Sequence, residues 1–106
     1  MNRKFVLCVI AAFFTLIFAS MALAHTPLFT CWDNGDGTFT CEAGFSDGSS
    51  ATSMPVRVTD DKGTVLEEGK VDETGEISFK RPEGDFSVVF DGGPGHTLTV
   101  KGSDIK

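Results

Sequence analysis

From Met54 to Val100 the chain switches every few residues between alternating apolar and polar stretches and clusters of Asp, Gly and Pro. Val56 and Val58 alternate with Arg57 and Thr59, and Asp60-Asp61-Lys62-Gly63 then turns. Thr64 to Glu68 reads as a short strand followed by Gly69, and Asp72-Glu73-Thr74-Gly75 turns again. Ile77 and Phe79 form the next alternation, Arg81-Pro82-Glu83-Gly84 the next turn, and Phe86, Val88 and Phe90 the strand after it. Asp91-Gly92-Gly93-Pro94-Gly95 reads as a loop before a last strand through Leu98 and Val100. A period of two places successive side chains on opposite faces of a strand. Downstream of the N-terminal apolar run, no segment carries the helical period. Short strands punctuated by turns predict an all-β fold, a small antiparallel β-sandwich of about seven strands.

The preceding segment fits the same scheme. Leu28 to Trp32 and Thr38 to Ala43 read as two strands joined by Asp33-Asn34-Gly35-Asp36-Gly37, a dense hairpin signal. Setting Cys31 opposite Cys41 centres the hairpin on Asp36 and puts Phe29, Cys31, Phe39 and Cys41 on one face. Trp32 falls on the other face with Thr30, Thr38, Thr40 and Glu42, either as a contact surface for a partner or as cover for a loop of its own domain. The turn does not make a calcium loop, because EF-hand spacing on Asp36-Gly37 puts Trp32 and Ala43 at the positions that need carboxylates. Gly44 to Ser53, rich in Gly and Ser, reads as a loop crossing between sheets.

The N-terminus sets the compartment. Arg3 and Lys4 precede an apolar run from Phe5 to Leu23 broken only by Thr15 and Ser20, and Ala22 and Ala24 supply the small residues of a cleavage site. The expected organisation is a signal peptide over 1–24 and one β-sandwich domain over 25–106, in the periplasm or secreted. The rival is an uncleaved membrane anchor, since about 20 apolar residues can span a bilayer. Cys8 lacks the small residues before it that a lipidation site needs. Loss of Arg3 and Lys4 takes the net charge from −6 to −8, a balance that argues against nucleic acid and anionic lipid as partners. Cys31 and Cys41 remain as an even pair in an exported chain and read as a disulfide.

The order V-x-V-x-D-x-x-G-x-V-L, carried by Val56 to Leu66, continues as G-x-V-D-x-x-G-x-I-x-F from Gly69 to Phe79 and P-x-G-x-F-x-V-x-F from Pro82 to Phe90. It resembles the carboxypeptidase regulatory-like, or transthyretin-like, sandwich, an Ig-like architecture that hosts many roles. The whole layout is also similar to the small exported accessory (NikL-type) components of nickel/cobalt importers of the energy-coupling-factor (ECF) type. The residues carrying that resemblance are the A-x-A end of the leader, His25-Thr26-Pro27, the run Cys41 to Ser49, and Phe90-Asp91-Gly92-Gly93-Pro94-Gly95-His96. It implies a metal-binding accessory, Ni²⁺ or Co²⁺ as the ion, and membrane importer subunits as partners.

Cleavage after Ala24 would expose His25 as the first residue. Its α-amine and imidazole both titrate near neutral pH and together chelate Ni²⁺, Co²⁺, Cu²⁺ or Zn²⁺. Pro27 stiffens the chain just beyond and has no amide proton to ionise. The bland alternative is that an exported chain must begin with some residue, and His25 has no role beyond being the first. His96, the other histidine, is a second metal ligand or a satisfied core-edge residue, since its parity matches Leu98 and Val100. Asp47 and Asp91 are candidate further ligands or acceptors for a ligand N–H, or ordinary turn aspartates.

Enzyme chemistry finds little support. The sequence has no G-x-S-x-G elbow, no H-E-x-x-H and no phosphate-cradling loop. A bridged Cys31–Cys41 pair offers no thiol nucleophile. Copper monooxygenases that begin with histidine use a comparable nitrogen set, but 82 residues leave little substrate surface and the chain has no Tyr. The expectation is a non-enzymatic metal-binding accessory. The alternative is a secreted interaction module that binds no metal and uses Trp32 as its surface.

Overall fold

A computed structural model describes residues 26–106. The expected signal peptide and His25 lie outside the described residues. Seven strands are arranged in chain order: β1 (Pro27–Asp33), β2 (Thr38–Phe45), β3 (Pro55–Asp60), β4 (Val65–Lys70), β5 (Glu76–Lys80), β6 (Phe86–Asp91) and β7 (Thr97–Lys101). All pairings are antiparallel. One sheet has the order β1-β2-β5 and the other β4-β3-β6-β7. The constant-type immunoglobulin arrangement keeps the fourth strand beside the fifth; here β4 pairs with β3 instead, leaving three strands against four.

The alternation read from the sequence is what the two inner faces bury. Phe39 and Cys41 from β2, Val56 and Val58 from β3, and Val88 and Phe90 from β6 are fully buried. Phe rings lock the layers together. Phe29 stacks on Phe90 with centroids 5.3 Å apart and Phe39 lies 5.5 Å from Phe86 across the layers, while Phe39 also lies 5.7 Å from Phe79, its ladder partner within one sheet. Aromatic pairs at such separations stabilise by about 0.5–1.5 kcal/mol each beyond the area they bury. Cys31 and Cys41 are directly opposed in the β1–β2 ladder, and their disulfide closes the pair. Trp32 pairs with Thr40 on the outer face of that sheet and is half-buried.

Several strand boundaries differ from the sequence reading. β2 runs on through Gly44 and Phe45, because Phe45 continues the inward parity of Phe39, Cys41 and Ala43 and packs its ring on Phe90. Gly69 lies inside β4 rather than beyond it. A Cβ there would meet Cδ1 of Ile77 at 2.8 Å, so the missing side chain lets β5 fold against β4. Asp91 ends β6 rather than opening the next loop. A 3-10 turn over Gly102–Asp104 also comes after β7 and seats Ile105 in the core.

The antiparallel order gathers the connections at two poles. The segments 46–54, 71–75 and 92–96 meet at one pole, together with the start of β1. The hairpin turn 34–37, the segments 61–64 and 81–85, and the C-terminus meet at the other.

Candidate metal site

The first pole holds most of the candidate residues, and the chain reaches it by ordinary strand pairing. Pro27 is the ladder partner of Phe45, and the Ser46 N–H donates to the Thr26 carbonyl at 2.9 Å. The entry of the chain into β1 is therefore stitched to the exit of β2. The next loop is held by Asp47, whose Oδ1 accepts from the Ser49 N–H at 2.9 Å and the Ser49 hydroxyl at 2.6 Å. Asp short-circuits its own backbone in this way in turns.

The loop between β6 and β7 brings His96 to the same place. The Gly92 N–H donates to the His96 carbonyl at 3.0 Å, and the His96 N–H donates to the Gly93 carbonyl at 2.9 Å. Gly92 has no room for a side chain, since a Cβ would sit 2.9 Å from the His96 carbonyl oxygen and 3.3 Å from its Cβ. The ring of His96 meets that of Phe45 edge-on, with centroids 6.3 Å apart. Its Nδ1 lies 2.9 Å from the Pro94 carbonyl oxygen. A carbonyl can only accept, so in the neutral ring Nδ1 carries the hydrogen and Nε2 carries the lone pair. A backbone acceptor that fixes the tautomer in this way is the usual support of a ligating histidine.

Phe45 joins the two halves of the pole. Its backbone pairs with Pro27, and its ring packs against His96. Beside them is a small cleft of about 260 Å³ lined by Phe45, Ser49, Ser50, Met54, Gly92 and His96. Thr26, the Asp47 loop and His96 are thus brought to one end of the sandwich. His25, one peptide before Thr26, lies outside the described residues. Asp91 reaches the pole but is engaged otherwise: Oδ1 accepts from the Gly93 N–H at 3.1 Å, and Oδ2 lies 3.7 Å from Arg57 Nη1. Trp32 is apart from the site, toward the hairpin turn.

Among the described residues no three His, Cys, Asp or Glu side chains gather as a ligand set. Phe45 and Met54 were not singled out in the sequence. The parity of Phe45 with Phe39 and Cys41 carried the signal for it, whereas nothing in the sequence around Met54 marked its place beside His96. Compared with known proteins, the chain matches no family model, no curated protein and no solved structure. The described residues form an all-β domain with one disulfide and contain no helix long and apolar enough to cross a membrane.

Proposed function

We propose that the protein is exported, loses residues 1–24, and serves as a periplasmic metal-binding accessory that captures Ni²⁺ or Co²⁺ for a membrane importer. The α-amine and imidazole of His25 form the chelate, and Nε2 of His96 supplies a third nitrogen. The observation that carries this reading is Phe45, paired across the ladder with Pro27 while its ring lies against His96. Thr26, the second residue of the proposed mature chain, is held at that pole by the Ser46 N–H. The nitrogen donors suit late first-row divalent ions, and intrinsic affinity rises toward copper, so nickel or cobalt loading rests on supply and on the importer. Few ligands at a surface pole suit an ion that must be released again.

The test is isothermal titration of Ni²⁺ into the 25–106 protein, its His25→Ala variant, and a form carrying one extra residue before His25, whose amine has become an amide. Both changes are expected to weaken binding by about tenfold or more, at least the range seen when only an outer partner of a ligand is removed. Equal affinity in all three forms contradicts the terminal chelate.

A further inference from the structure

The outer face of the β1-β2-β5 sheet hollows at the same pole into a groove of about 480 Å³. Its floor is the Leu28–Gly44 pair of the β1–β2 ladder. Leu28 is 53% exposed, one of few large apolar side chains left so open among the described residues. Gly44 opposite contributes no side chain, and a Cβ there would find only the Ser49 carbonyl oxygen, at 4.0 Å. The loop through Gly48, Ser49 and Ser50 walls one side, and Glu73, Thr74 and Gly75 wall the other. The result is an apolar patch beside an empty slot, open to solvent.

The charge around this slot has one sign. Glu42 and Glu76 are direct ladder partners on the outer face, and Glu73 lines the groove. The ion pairs among the described residues join Arg57 to Asp91 and Arg81 to Asp33, so none neutralises these three glutamates. Like charges directly opposed on a sheet destabilise it. The Glu42–Glu76 row lies two residues along β2 from the Leu28–Gly44 row, roughly 7 Å at strand spacing. An extended peptide presents residues i and i+2 on one face at that same interval.

We propose that this groove docks an extended, basic segment of a partner protein. An apolar side chain of the segment would fill the slot over Leu28 and Gly44, and a Lys or Arg two residues away would meet Glu42 and Glu76. Charge argues against other occupants. A second copy of this acidic chain, or an anionic membrane, brings negative charge to a negative face. The proposal does not rest on the metal reading, and its test is run with a chelator present so that the two stand or fall separately.

The probe is an acetylated eight-residue peptide with one central leucine flanked two positions away on each side by lysine; its twin carries glutamates instead. The lysine peptide is expected to shift the backbone amide resonances of Leu28, Thr30, Gly44 and Gly75. Glu42→Lys with Glu76→Lys is expected to weaken that binding by about tenfold. Glu42→Thr alone is expected to weaken peptide binding while raising the denaturation midpoint, because it removes the opposed like charge; a merely structural Glu42 would lower the midpoint. Lysine-peptide affinity unchanged in the double variant, equal binding of the glutamate peptide, or shifts confined to other surfaces would overturn the proposal. So would a dimer in sedimentation that Leu28→Asp dissolves, which assigns the face to a second copy.

Discussion

Single carboxylates shape the turns. Asp72 Oδ1 accepts from the Thr74 N–H at 2.8 Å, the Thr74 hydroxyl at 2.6 Å and the Glu76 N–H at 3.0 Å. Asp36 Oδ1 does the same for the N–H and hydroxyl of Thr38. These bonds favour the charged form, so each carboxyl is held below the usual range, with the side-chain bond to the threonine as the largest cause. A depressed folded pKa contributes stability above the ordinary carboxylate value, and that contribution fades as pH falls through the folded value. Asp72→Ala is therefore expected to lower the urea midpoint at neutral pH, with the gap to wild type narrowing below about pH 4. A gap that stays constant from neutral to strongly acidic pH contradicts it. These turns were legible in the sequence because an Asp one to three residues before a Gly encodes its own local hydrogen bonds. Which aspartates were left for a site was not legible, because Arg57 engages Asp91 from a strand remote in sequence.

At the scale of elements, the β1–β2 hairpin and the C-terminal turn carry the two clearest dependences. The hairpin register was readable because two cysteines ten residues apart bracket one turn, and the Cys31–Cys41 pairing agrees with it. Replacing both cysteines by alanine is expected to cost about 2–3 kcal/mol on a chain-entropy basis, read as a lower guanidinium midpoint with a somewhat steeper slope, because the unlinked denatured chain is more open. The C-terminal turn was not legible, because what seats it comes from the other end of a loop. Arg81 donates through Nη1 to Asp33 Oδ2 at 2.9 Å and to the Ile105 carbonyl at 3.2 Å, and through Nη2 to the Gly102 carbonyl at 3.0 Å. Its guanidinium also lies 5.3 Å from the centre of the Phe86 ring. Arg81→Ala is expected to cost about 1–3 kcal/mol, the range for charged hydrogen bonds lost from one group. Amide exchange should then quicken at Ile105 and Asp33, whose N–H groups bond the Gly102 and Lys106 carbonyls. Unchanged exchange there would show that Ile105 holds the turn by packing alone.

For the molecule as a whole, seven strands in two antiparallel sheets were foreshadowed by periodicity and turn chemistry, since every inward residue of β3 and β6 alternates as a half-buried sheet requires. The division into three and four strands was not, because the side on which β4 pairs is a tertiary choice that Gly69 and Ile77 permit without announcing. Phe90 sits where the layers meet, against Phe29 and Phe45, and Phe90→Ala is expected to cost about 3–5 kcal/mol in thermal or denaturant unfolding. The candidate site was legible as residues and not as a place. His25 and His96 stood out as the only histidines, but their relation depends on β1, β2 and β6 all delivering their ends to one pole. The central claim is that cleavage frees a histidine amine at that pole and that this amine binds metal. Native mass spectrometry of the exported protein, with and without added Ni²⁺, tests it most directly. The account predicts a mass beginning at His25 that gains one nickel ion and loses it in His25→Ala; a protein that starts elsewhere, or that carries no ion when nickel is supplied, contradicts it.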